Sequence, residues 1–159
     1  MFRKEFFILS LIVSSTIFAT LDHGIADAQN DGIVKSKSAY SMQETVERIT
    51  KDIAVKKIKL FDVIDQAMLA KDAGVALNPS ELIVFGNPPL GTQFLTAKPE
   101  SGLDWPVRLL VFQDDTGQVW TAYTDFSWIA KRHGITNRDP QFQKATEVIA
   151  SITASVKAE

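Results

Sequence analysis

Val107-Arg108-Leu109-Leu110-Val111-Phe112-Gln113-Asp114-Asp115-Thr116-Gly117-Gln118-Val119-Trp120-Thr121-Ala122-Tyr123-Thr124 is the stretch whose reading decides the fold. Two runs rich in β-branched and aromatic residues flank a polar turn that ends in Gly, the pattern of a β-hairpin. A hairpin makes its two strands antiparallel, so the sheet around it is expected to be mainly antiparallel. Trp120 and Tyr123 have opposite parity on their strand, so only one of them can line a given face.

Working outward, Glu81 to Phe85 reads as a buried strand. It ends at Gly86-Asn87-Pro88, where Asn87 can cap a helix and Pro88 can be its first residue. That helix is short, with Leu90, Phe94 and Leu95 on its apolar side before Pro99, and Gly102 to Pro106 reads as a connecting loop. Upstream, Ile58 to Ile64 has strand character, with Ile58, Leu60, Asp62 and Ile64 on one face and Phe61 and Val63 on the other. Asp65 can cap a short helix through Ala73, and Asn78-Pro79 turns the chain. Ser41 and Glu44 form a capping box ahead of a helix whose apolar stripe is Met42, Val46, Ile49 and Ile53, with Lys56 and Lys57 at its C-terminal end. Gly32 to Ser38 can be an edge strand. Downstream, Asp125 can cap a helix from Phe126 to His133, and Asp139-Pro140 opens a last helix with Phe142, Ala145, Val148, Ile149, Ile152 and Val156 on one face. The order predicts an α+β domain: a mainly antiparallel sheet with helices on one face, β-α-β(4)-α with short helical insertions.

The 159 residues carry 17 Lys plus Arg against 19 Asp plus Glu, and a net charge of -2 excludes a dedicated polyanion binder. No nucleic-acid partner is expected. The absence of cysteine excludes thiolate nucleophiles, Cys-ligated zinc, iron–sulfur clusters and covalent haem. Arg3 and Lys4 precede an apolar stretch from Phe6 to Leu21, and Ala26-Asp27-Ala28 offers small residues at the positions a signal peptidase reads. Residues 1–28 are therefore expected to be a signal peptide cleaved after Ala28, with an uncleaved anchor as the alternative. Residues 29–40 form a polar lead and edge strand, and residues 41–157 form one domain. The mature chain is expected in the periplasm or secreted, without membrane attachment.

Leu60-Phe61-Asp62-Val63-Ile64-Asp65, the run from Leu77 to Pro88, Gly117-Gln118-Val119-Trp120 with Tyr123, and Arg132-His133-Gly134 together resemble the family called domain of unknown function 302. The match runs roughly from Glu44 to Gly134, and Phe85-Gly86-Asn87-Pro88 is its most specific block. The resemblance implies a fold similar to the TATA-binding-protein-like class, without implying DNA binding. Family members commonly have His directly after the Asp that aligns with Asp65. Here that place is Gln66, an amide that can hydrogen-bond but cannot titrate near neutrality.

Candidate site residues follow from chemistry. Apart from His23 in the leader, His133 is the one imidazole, and it reads as a general base, a ligand, or a helix C-terminal residue bonded to the last carbonyls. Asp62, on an apolar strand face, must be solvent-exposed or paired with a residue such as Arg108; buried, it would be a candidate acid or base. Gly86-Asn87-Pro88 is either a tight turn or a cradle of helix amides for an anion. The reading adopted is a pocket between sheet and helices, with Asn87, Tyr123, Asp125 and His133 as polar contacts for an unknown small molecule or protein. An enzyme using His133 or Asp62 as general base, with Tyr123 polarising the substrate, is the alternative. A homo-oligomeric envelope protein, such as a homodimer paired through the edge strand, is a third. No metal site and no cofactor is expected.

Overall fold

The computed structural model describes residues 31–157, so the expected leader and cleavage point lie outside the described residues. Five strands, β1 (Ile33–Lys37), β2 (Lys59–Asp65), β3 (Ser80–Gly86), β4 (Val107–Gln113) and β5 (Val119–Thr124), form one antiparallel sheet in the order β1-β5-β4-β3-β2. The helices are α1 (Met42–Val55), α2 (Gln66–Asp72), α3 (Pro88–Ala97), α4 (Phe126–His133) and α5 (Asp139–Ala154). The molecule is α+β, with the β4-β5 hairpin at the heart of its sheet. Where a loop was expected before β4, Pro99–Asp104 winds into a 3-10 turn, followed by a cis peptide at Trp105-Pro106.

The strand period of two sorts the sheet into a dry and a half-wet face. Ile83, Leu109, Val111 and Thr121 stand on one face and are at most 1% exposed. Against them pack Ile49 and Ile53 of α1, Phe94 of α3, Ile129 of α4, and Ile149 and Ile152 of α5. The amphipathic stripes read from the sequence for α1 and α5 are what those helices turn to the core. Ser41 accepts the Glu44 amide as a cap should, at 3.3 Å. The reciprocal half of the capping box differs: the Glu44 carboxylate accepts from Arg48 at 2.8 Å, one turn along the same helix. On β2 the alternation breaks at a bulge. Leu60 pairs with buried Phe85 while itself staying 40% exposed at the sheet edge, whereas Asp62 sits opposite Val84 on the other face, so Leu60 and Asp62 do not share a face as simple alternation implies.

The hairpin turn is held by one carboxylate. Asp114 accepts from the Thr116 hydroxyl at 2.6 Å, the Thr116 and Gln118 amides at 3.0 Å, and the Trp120 indole at 2.6 Å. These donors, the Thr116 hydroxyl foremost and then the indole, depress its pKa to about 2. A depressed carboxylate contributes stability above its unfolded pKa of about 3.8, and that contribution is lost as pH falls through about 2. The Trp120 indole NMR resonance of the folded protein should therefore titrate with a midpoint of about 2, and Asp114→Asn should abolish that step. A step unchanged by the substitution would refute the assignment.

Candidate functional site

A cavity of about 670 Å3 opens between the ends of α1 and β3, the start of α3, and α5. Buried Phe85, Val107, Phe126 and Ala145 form its floor, and half-buried Ile58, Leu90, Trp105 and Val148 its walls. The rim is polar: Lys56, Asn87, Lys144, Glu147 and Ser151. Both rim cations have carboxylate neighbours on their own helix, Lys56 with Asp52 at 2.6 Å and Lys144 with Glu147 at 3.6 Å. The mouth is thus close to charge-balanced over an apolar interior, a composition suited to a small, largely apolar molecule.

Trp105 makes the cavity wall because two glycines leave room for it. A Cβ on Gly91 would lie 1.9 Å from the indole Cε2, and one on Gly86 would lie 3.0 Å from Cζ2. The ring is held from a third side by Phe94, with centroids 5.9 Å apart. The run from Phe85 to Gly91 therefore supplies floor, slot and rim in seven consecutive residues. Gly91 was not singled out from the sequence, yet a glycine inside a helix costs about 1 kcal/mol and so signals a close approach.

Asn87 lines the rim and caps α3, its side chain accepting from the Leu90 amide at 3.2 Å. The first two helical residues, Pro88 and Pro89, have no amide hydrogen. The next amide, Leu90, is taken by the Asn87 side chain and carbonyl. The helix start therefore builds a turn, and it has no spare amides there to cradle an anion.

Tyr123, Asp125 and His133 do not line this cavity. Asp125 caps α4, accepting from the Ser127 amide at 2.6 Å, the Ser127 hydroxyl and the Trp128 amide at 3.2 Å. Burial alone would raise its pKa, but these donors outweigh burial and hold it below the usual carboxylate range. Burial, aided by the Asp125 charge, pushes the Tyr123 phenol up. His133 turns to a residue the sequence reading passed over: its Nε2 meets Oδ2 of Asp104 at 2.6 Å, with both side chains at most 6% exposed. Arg132 reaches the same carboxylate at 3.1 Å and Arg108 at 3.3 Å. Asp104 thus ties the 3-10 turn to α4 and to β4, and the expected helix-carbonyl partners of His133 are replaced by this carboxylate. Asp104 looked like a loop residue because its partners lie 28 and 29 positions away.

Asp62 is exposed at the bulge, accepts from the Val63 amide at 2.9 Å, and is not the partner of Arg108. Asp65 caps α2 through the Met68 amide at 2.8 Å. Its carboxylate neighbour is Glu81, directly opposite on β3, whose pKa is raised by burial and then by the Asp65 charge. Gln66 accepts from the Ser80 hydroxyl at 2.8 Å, so the amide in place of the expected histidine joins α2 to the start of β3.

Comparison with known proteins agrees with this architecture. The family model for domain of unknown function DUF302 matches residues 34–158. A DUF302 protein of Bacillus stearothermophilus, known from its crystal structure, superposes with a TM-score of 0.73 over 80% of this chain and 99% of that one, at 13% identity. Among curated proteins, fluoride-specific ion channel FluC 1 of Brucella suis biovar 1 (strain 1330) is 38% identical over 111 residues, covering 70% of this chain and 44% of that protein. FluC 1 of Brucella abortus biovar 1 (strain 9-941) has the same identity over 41% of its length. The match spans less than half the length of these relatives. The chain belongs to the DUF302 family.

Proposed function

We propose that this DUF302 domain is an exported binding module that holds a small, mostly apolar molecule in the groove behind Trp105. The observation that carries the reading is a cavity of about 670 Å3 with an apolar floor and a polar rim, within the size range of small-molecule sites. The leader-like segment at Arg3 to Ala28 supports export. The geometry favours binding over general-base catalysis, because Asp62 stands exposed at a bulge and His133 is sealed against Asp104. In the Brucella channels the matched segment is under half of the protein, and a binding module is a role such a segment can fill beside a channel.

Native mass spectrometry of the protein recovered from cells expressing the full chain tests both parts. The expected mass is that of residues 29–159 plus a retained small molecule. Val148→Trp, which fills the groove from α5, should remove the added mass while keeping the wild-type circular dichroism spectrum, with the melting temperature lowered only by the ligand's share. An intact leader would contradict export. An added mass that survives Val148→Trp would contradict the site, and a wild-type chain with no added mass would contradict tight binding.

A further inference from the structure

The cavity offers a ligand more hydrogen-bond donors than acceptors. Trp120 gives its indole N–H to Asp114 at 2.6 Å, but the Trp105 N–H has no acceptor among the described residues. Ser101 Oγ is the one side-chain polar atom among those residues that is both unpartnered and sealed from solvent. Trp105 Nε1 is therefore unsealed, and the open space its ring borders is the cavity. Asn87 adds to the same end. Its Oδ1 accepts the Leu90 amide, which fixes the direction of the side-chain amide and leaves both Nδ2 hydrogens without an acceptor among the described residues. The glycine slot brings the two donors together: Asn87 follows Gly86, which backs the indole at Cζ2, and a Cβ on Gly91 would lie 2.0 Å from Nε1. Acceptors are fewer and wetter. Glu147 is 55% exposed and already takes Gln143 at 3.3 Å and Lys144 at 3.6 Å. The Ser151 hydroxyl, able to give or take, is exposed.

We propose that the molecule held behind Trp105 is an uncharged carbonyl compound, such as a ketone or an ester. Its oxygen accepts from the Trp105 and Asn87 N–H groups, and its hydrocarbon part lies over Phe85, Val107 and Phe126. The inference rests on the groove being a binding site and narrows what the groove selects. A carbonyl that leaves water for an apolar floor needs a replacement donor, and these two side chains supply it. An N–H on the ligand gains little, because the acceptors that face it are exposed and exchange one hydrogen bond for another with water. An anion gains little too. Lys56 is held by both oxygens of Asp52 at 2.6 Å, and Lys144 shares its charge with Glu147 on the same helix.

NMR titration of protein from cells expressing the full chain tests it, with three probes of one ring skeleton: cyclooctanone, methylenecyclooctane and cyclooctanecarboxylate. Affinities are read at the Gly86 and Gly91 amides, so that variants of Trp105 report on the same scale. The ketone and the olefin should both bind, and only the ketone should move the Trp105 indole proton downfield, the mark of a new acceptor. Trp105→Phe keeps a ring in the slot without the N–H, and it should weaken the ketone at least about fivefold more than the olefin. Asn87→Asp keeps a capping oxygen while removing the amide hydrogens, and it should discriminate in the same direction. The carboxylate should bind more weakly than the ketone. Equal losses for ketone and olefin in either variant, an indole proton that the ketone leaves in place, or a carboxylate that outbinds the ketone would overturn the proposal, while olefin binding would still uphold the apolar groove. Binding of neither ketone nor olefin would overturn the groove itself.

Discussion

Gly91→Ala is expected to destabilise the domain by about 2 kcal/mol or more and to abolish ligand retention. The direction is informative because the same change inside an unencumbered helix stabilises by up to about 1 kcal/mol. Here the added methyl would sit 1.9 Å from Cε2 and 2.0 Å from Nε1 of Trp105, far inside van der Waals contact. The indole must leave its slot, which removes a cavity wall and its contact with Phe94. Urea denaturation measures the cost, and a double-mutant cycle assigns it. In a Trp105→Ala background the clash is gone, so Gly91→Ala should become neutral or stabilising. If Gly91→Ala alone left stability and retention at wild-type levels, the slot described for Trp105 would be wrong.

Asp104→Asn is expected to cost about 2–4 kcal/mol, the largest effect of any single substitution at the charged cluster. The carboxylate and the His133 ring are 4% and 6% exposed, so the imidazole would be left buried beside an amide. Arg108 and Arg132 are 50% and 45% exposed and can turn to water. Their contribution is heavily screened, and Arg132→Ala should cost under about 1 kcal/mol. Chemical denaturation of Asp104→Asn, His133→Gln and the double variant separates the terms. The coupling between Asp104 and His133 should dominate, and an Asp104→Asn variant as stable as wild type would show that the clamp does not hold the 3-10 turn.

The parts of the fold that were legible in the sequence are those set by near neighbours. The hairpin is declared by its turn residues, and Asp65, Asn87 and Asp125 cap the helices that immediately follow them. What was not legible depends on distant partners. The Asp104 contacts to α4 bridge 28 and 29 residues, and the bulge at Phe61 shifts Leu60 to the core face by a register change that simple alternation does not encode. The expected site was split for the same reason. Asn87 follows β3 at the cavity mouth, whereas Tyr123, Asp125 and His133 belong to β5 and α4 away from it. Gly86 and Asn87 were read for backbone geometry and capping; the further consequence, a slot that positions Trp105, needed the ring to be placed against them.

The three tryptophans occupy distinct places: Trp105 in the cavity wall, Trp120 on the half-wet sheet face and Trp128 over Gly32. Their indole NMR resonances during titration with 8-anilinonaphthalene-1-sulfonate, an amphiphilic fluorescent probe with an apolar ring system and one sulfonate, test the central claim that the groove behind Trp105 is the binding site. The Trp105 resonance should shift saturably while those of Trp120 and Trp128 stay in place. A titration that moved Trp120 and left Trp105 unmoved, or one with no saturable shift at Trp105, would contradict it.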